Sequence, residues 1–360
     1  MLNFTVGPVQ MDERICRLGA DQVPYFRTPE FSQVMLENEQ LFLEFADAPA
    51  GSRAVFLTAS GTGGMEAAVM NALTSDDRAL VVDGGSFGHR FVQLLEIHGI
   101  PHETISLLPG ESLKAQHLEP YRGTGITAFL VNADETSTGT FYDMGLIAGF
   151  CAEECALLVV DAVSAFLTDE LSMAQMGIDV LITGSQKALA VPPGVSVVAL
   201  GPRGLARVEA AEVRCMYFDL ADALRNGERG QTPFTPAVGT LLQINERLRA
   251  IAAAGGARAE LKRAADLAAD FRRRIQGMPF ELLSESPANG VTALRVAPGI
   301  SAKEIFVRMK DEHGIWVCPN GGELAESVFR VGHMGALTPA DNQTLASALA
   351  EVLADMEAEG

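Results

Sequence analysis

The chain has 360 residues, 48% hydrophobic and 20% charged, and its 27 basic and 46 acidic side chains give a formal net charge of −19. This composition supports a large buried core shared between one big and one smaller domain. The acidic balance argues against nucleic-acid and membrane partners, because such a surface repels phosphate backbones and anionic lipid.

Residues 1–20 read as an arm packing on the body. Their start, Met1-Leu2-Asn3-Phe4-Thr5, lacks a basic secretion signal, and no apolar run reaches the ~20 residues of a membrane span, so a cytoplasmic location is expected. From about residue 53 to 201, short apolar strands alternate with helical stretches. The strands are predicted at Ala54–Thr58, Ala79–Asp83, Glu103–Leu107, Thr127–Asn132, Leu157–Asp161, Val180–Thr183 and Ser196–Leu200. In the stretch 62–74, Met65, Ala68, Val69, Ala72 and Leu73 share one helical face. Near-continuous apolar strands separated by helices predict an α/β fold, with a mostly parallel seven-stranded sheet covered on both sides. Ligands of such sheets sit at the carboxyl ends of the strands. Cys151 and Cys155 lie one helical turn apart and read as buried helix positions. No cysteine or histidine grouping has metal-ligand spacing, so no metal is expected.

After Pro236 two helical stretches are predicted, 237–254 and 257–276. An α+β tail follows, with strand Val291–Val296, helix 302–313, short strands near 315–318 and 327–331, and a last helix 339–358 capped by Thr338 with Pro339 in its first turn. The expected division is an arm (1–20), a large cofactor-binding domain (21–240) and a smaller C-terminal α+β domain (241–360).

Four constellations carry chemistry. Thr58-Ala59-Ser60-Gly61-Thr62-Gly63-Gly64 is a glycine-rich turn from strand to helix, where free N–H groups and the helix dipole favour an anion. On its own it fits a phosphate cup, a plain capped turn, or a nicotinamide-dinucleotide site with Asp83 as the acidic partner. Second, Asp161 ends one apolar strand, and Lys187 follows the next in Gly184-Ser185-Gln186-Lys187-Ala188. A desolvated lysine that can bond an aldehyde, with an aspartate that keeps a ring nitrogen protonated, is the pair pyridoxal phosphate requires. Third, Arg330 in Phe329-Arg330-Val331-Gly332-His333 must find an anion when buried; a substrate carboxylate or an internal ion pair both satisfy it. Fourth, in Gly84-Gly85-Ser86-Phe87-Gly88-His89-Arg90, Phe87 is placed either to stack on a flat ring or to fill core.

With these residues collected, the chain resembles the class V aminotransferases of pyridoxal phosphate fold type I, in the branch of alanine–glyoxylate and serine–pyruvate aminotransferases. The resemblance runs through Gly7-Pro8, Arg27-Thr28-Pro29-Glu30-Phe31, Ser60-Gly61-Thr62, Glu135-Thr136-Ser137-Thr138-Gly139, Asp161-Ala162-Val163-Ser164, Gly184-Ser185-Gln186-Lys187-Ala188, Thr235-Pro236-Ala237-Val238 and Arg330-Val331-Gly332-His333. It implies that Lys187 bonds the cofactor and moves the proton, and that Asp161 pairs with the ring nitrogen. Val163 and Phe87 would cover the two ring faces. Ser60, Gly61, Thr62 and Gln186 would hold the phosphate, with Thr235 reaching it from the neighbouring subunit of a homodimer. Thr136 would lie near the ring hydroxyl, Arg330 would clamp the substrate carboxylate, and Gly7 would line the entrance. Phe26 stands where relatives carry histidine, and Phe87 where tryptophan or tyrosine is commoner. Both departures are expected at the pocket or its rim. The expected reaction is ping-pong transfer of an amino group from a small amino acid to pyruvate or glyoxylate. The alternatives are a 2-aminoethylphosphonate–pyruvate aminotransferase, or a cysteine desulfurase or lyase using Cys318.

Overall fold

A computed structural model describes residues 1–359. Its centre is a seven-stranded sheet of β1 (Arg53–Leu57), β2 (Ala79–Asp83), β3 (His102–Ser106), β4 (Ala128–Asn132), β5 (Leu157–Asp161), β6 (Val180–Gly184) and β7 (Ser196–Leu200), in the order β1-β7-β6-β5-β4-β2-β3. All seven strands fall where the apolar runs predict them. The pairs from β6 across to β3 are parallel, whereas β7 is antiparallel to both β6 and β1. The carboxyl ends of every strand except β7 therefore share one edge. Asp161 pairs with Asn132 on one side and Ile182 on the other at that edge.

Alternation along each strand feeds two cores. Phe56, Leu80, Val131, Val160 and Leu181 face one layer together with Phe42 of helix α1 (Pro29–Phe45). Leu57, Val81, Leu130, Val159 and Ile182 face the other, against Met65 and Val69 of α2 (Gly61–Ala72) and Phe91 and Leu95 of α3 (Gly88–Ile97). Helix α4 (Met144–Glu154) places Cys151 in the core. Cys155 departs from expectation: it is exposed and left-handed (φ 55°) because it terminates that helix instead of continuing its buried face.

Helix α5 (Val238–Ala253) packs on α1, where Asn38 Nδ2 donates to Leu241 O at 3.1 Å and Asn245 Nδ2 to Asn38 Oδ1 at 3.0 Å. A separate C-terminal unit follows. Its antiparallel sheet takes the order β8-β9-β11-β10 from β8 (Phe280–Leu282), β9 (Val291–Val296), β10 (Cys318–Pro319) and β11 (Val328–Gly332). Its core joins Phe329 and Leu294 to Leu267 and Phe271 of α6 (Gly256–Arg274), Ile305 and Met309 of α7 (Ala302–His313), and Leu345 and Leu349 of α8 (Pro339–Glu359). The Thr338 hydroxyl accepts from Asp341 N–H at 3.3 Å, so that helix is capped as the sequence predicts. The arm joins both bodies: Leu2 pairs with Ile315 and Phe4 enters the C-terminal core, while Val6 and Val9 enter the central one. No helix among the described residues is long and apolar enough to cross a membrane.

Candidate active site

The shared carboxyl edge gathers the lysine, the aspartate and the glycine-rich turn. Lys187 is 7% exposed, and its Nζ donates to Val6 O of the arm at 2.6 Å. Burial pushes its amine down to about 8, with Asp134 opposing the fall and Arg330 adding to it. Gly7 (φ 137°) lies flat on this side chain: a Cβ there would stand 2.8 Å from Lys187 Cδ and 2.9 Å from Cε.

Asp161 accepts from Val163 N–H at 2.8 Å through Oδ1, and Oδ2 takes no hydrogen bond from the described residues. Burial raises its carboxyl to about 6, against the pull of that amide and of Lys187. The turn after β1 forms a glycine-rich cup at a helix start. Ser60 caps α2, its hydroxyl accepting from Gly63 N–H at 3.4 Å, and Thr62 Oγ1 accepts from Arg90 Nη1 at 2.7 Å. A Cβ on Gly61 would stand 2.8 Å from Val163 Cγ2, so glycine lets the cup close on the residue beside Asp161. Asp83, the acidic partner a dinucleotide site would need, is engaged by His89 Nδ1 at 2.9 Å. Gln186 is half-buried, and its side chain forms no hydrogen bond among the described residues.

The C-terminal unit closes the site from the opposite side. Arg330 donates from Nη1 to Thr136 O at 3.1 Å and from Nη2 to Pro319 O at 2.7 Å. Its buried Nε has no partner, and it forms no ion pair among the described residues. The internal ion pair left open by the sequence is therefore not made. Thr136 Oγ1 lies 2.5 Å from Ser164 Oγ. Phe87 is half-buried, with the Arg90 guanidinium 4.6 Å from its ring centre. His333 lies behind the site, bonded to Thr292 Oγ1 at 2.7 Å; burial pushes it down to about 3, so it is neutral.

Three further residues singled out by the sequence lie away from this cluster or at its margin. Thr235 is exposed, and its hydroxyl makes no hydrogen bond among the described residues. Phe26 is buried, edge-on to Phe31, with the Arg27 guanidinium 4.7 Å over its ring. Cys318 sits in β10 opposite Arg330, half-buried, and not in a mobile loop of the kind a sulfur carrier needs.

The family model for aminotransferase class V matches residues 25–334. The chain belongs to the class V aminotransferases. It is 30% identical over 350 residues to the L-aspartate–glyoxylate aminotransferase of Paracoccus denitrificans, covering 94% of this chain and 87% of that one. It is likewise 30% identical to the soluble hydrogenase 42 kDa subunit of Anabaena cylindrica, covering 97% and 92%. The solved structure of an alanine–glyoxylate aminotransferase from Nostoc sp. superposes with a TM-score of 0.91 at 26% identity, covering 98% of this chain and 95% of that one.

The cofactor of this class V aminotransferase is pyridoxal 5′-phosphate. The residues fit it: a desolvated amine, a buried carboxylate with one oxygen free, and a glycine cup at a helix start.

Two residues escaped the sequence reading. Glu135 is fully buried, and its carboxylate accepts from Gly88 N–H (2.9 Å), Phe87 N–H (3.2 Å), Ser137 N–H (3.1 Å), Asn132 Nδ2 (2.8 Å) and the Ser137 hydroxyl. It thereby fixes the turn that presents Phe87. Glu135→Gln turns one acceptor oxygen into a donor facing donors, and is expected to lower stability by about 2–3 kcal/mol, read as the midpoint of denaturant unfolding. An unchanged midpoint would refute this role. The second is Asp134, whose two carboxylate oxygens are buried without partners. Burial, then Asp169, raise its carboxyl well above the usual range, while Lys187 pulls it back.

Proposed function

We propose that the chain transfers an amino group from a small amino acid to glyoxylate or pyruvate in two half-reactions, as a homodimer with shared sites. The observation that carries this reading is the pairing of a buried neutralisable amine, Lys187, with an Arg330 fork that lacks any carboxylate of its own. The glyoxylate-dependent relatives support the acceptor.

Bound pyridoxal phosphate supplies an aldehyde to take up the amino group and an electron-poor ring to draw charge from the substrate Cα. The chain supplies the rest. Lys187 would hold the cofactor through its aldehyde carbon, and its free amine would move the proton between the substrate Cα and the cofactor C4′ carbon. Asp161 holds the ring nitrogen protonated, and that cation in turn favours the carboxylate form of Asp161. Val163 and Phe87 cover the ring faces. Ser60, Gly61, Thr62 and Gln186 hold the phosphate, and Thr136 lies by the ring hydroxyl. Arg330 orients substrate through its carboxylate. Gly7 lines the entrance, and the arm keeps water from Lys187.

Thr235 serves the neighbouring subunit's phosphate, which accounts for its exposure. Beside it Val213, Met216 and Tyr217 are also exposed, with Tyr217 stacked on Phe234 at 5.5 Å, an apolar patch suited to a second copy of the chain. The working division is an arm, a cofactor-binding body and a C-terminal unit, with α5 assigned to the body because Leu241, Ile244 and Leu248 lie in its core. The five unpaired cysteines support a cytoplasmic setting.

The test is a donor-by-acceptor screen of purified protein: aspartate, alanine, serine and 2-aminoethylphosphonate, each with glyoxylate and pyruvate. Turnover of at least one amino acid with glyoxylate or pyruvate is expected. Turnover of the phosphonate alone would overturn the reading, as would sulfide release from cysteine that is lost on Cys318→Ala.

A further inference from the structure

Arg90 sits in the first turn of α3, three residues after Phe87, and belongs to no ion pair among the described residues. Its guanidinium lies on the Phe87 ring and donates from Nη1 to Thr62 Oγ1 at 2.7 Å; Nε and Nη2 have no partner among the described residues. The charge reaches the site floor, since Asp161 is pulled down by it. The cup itself offers only neutral groups: the α2 N–H groups, the Ser60 and Thr62 hydroxyls and the Gln186 amide. Of the two other cations at the site, Lys187 is turned to Val6 O, and Arg330 is held by Thr136 O and Pro319 O. In a chain of net charge −19, a local cation strengthens the hold of a helix start on a phosphate dianion.

We propose that Arg90 is a phosphate-anchoring residue of the cofactor site: it provides the fixed positive charge facing the phosphate monoester and turns the Thr62 hydroxyl proton toward it. The second part follows from hydroxyl geometry. Thr62 Oγ1 already accepts from Arg90 and donates to nothing in the chain, so its own proton is free for a phosphate oxygen. Phe87 serves as the platform that fixes the guanidinium plane. This assignment rests on reading the cup as the phosphate site of pyridoxal phosphate.

The contrast between phosphorylated and unphosphorylated vitamer isolates the role. Apoprotein is titrated with pyridoxal phosphate and with pyridoxal, followed by absorbance of the bound vitamer, with inorganic phosphate as competitor. Arg90→Gln is expected to weaken pyridoxal phosphate at least about tenfold, to weaken competition by phosphate similarly, and to leave pyridoxal within about twofold. Arg90→Lys should recover part of the loss. Equal weakening of both vitamers would overturn the proposal, since Arg90 would then act only through Phe87. Unchanged affinity for both would overturn it as well. Should Arg90→Gln not fold, Thr62→Val removes the relayed hydroxyl and must still penalise the phosphorylated vitamer selectively; no selectivity refutes the relay. A wild-type apoprotein that takes up neither vitamer would sink the cofactor reading and Arg90 with it, a result distinct from equal binding by wild type and variant.

Discussion

Replacing Lys187 with alanine is expected to abolish transamination, lowering turnover by at least about 10⁴-fold. Two proposed functions would go at once: the covalent hold on the cofactor, and the base that moves the Cα proton. No other amine can substitute, because the arm seals the position with Gly7 against the side chain and Val6 O on Nζ. The measurement is absorbance of the bound cofactor in a single half-reaction with amino donor, together with borohydride, which should tag the Lys187 peptide of the wild type only. Sustained ping-pong turnover by Lys187→Ala would refute the assignment. The acidity of the amine adds a pH signature. Burial lowers it to about 8, and only the neutral amine attacks an aldehyde. Uptake of cofactor by apoprotein should therefore rise about tenfold per pH unit up to about 8 and level off above it. A flat profile through that range would show that the amine is not held by burial in this way.

The parts of the fold legible in the sequence are those fixed locally. Leu157–Asp161 and Val180–Gly184 are buried on both faces, so an apolar run announces each strand and its polar end. The direction of β7 was not legible, because a run buried on both sides reads alike parallel or antiparallel. Helix α1 is written in the pattern Phe31, Met35, Phe42, Phe45 behind the Thr28 cap and Pro29, a helical spacing that is not among the elements predicted above. In the site, Lys187, Asp161 and the Ser60–Thr62 cup were legible because each sits beside its own strand end. Glu135 was not, since its donors Phe87 and Gly88 lie far away in the chain and only the β2–β4 neighbourhood brings them together. Arg90 follows the same rule: its meaning comes from Thr62, and Thr62 arrives from a different strand. Asp134 escaped for a related reason, because a carboxylate is conspicuous only once its burial and its lack of partners are seen.

Arg330→Leu is expected to cost about 2–5 kcal/mol in the transition state, on the order of 30- to several-thousand-fold in kcat/KM. The guanidinium is already committed on two sides: Nη1 bonds Thr136 O in the large body and Nη2 bonds Pro319 O in the C-terminal unit. What remains is the edge carrying the orphaned Nε, and a donor left unpaired in a buried place is stabilised by an anion arriving there. Donor and acceptor both carry a carboxylate, so both half-reactions should lose, mainly in KM where the clamp only binds, and also in kcat where it holds Cα in line with Lys187. Arg330→Lys should recover little, since an ammonium is a point charge without the two-pronged planar fork. The control is a primary amine without a carboxylate, whose slow reaction with the bound cofactor should be the same in wild type and variant. Equal loss with that amine would mean that Arg330 merely ties the two bodies together through Thr136 and Pro319. In that case the substrate carboxylate must be bound elsewhere on the closing surface.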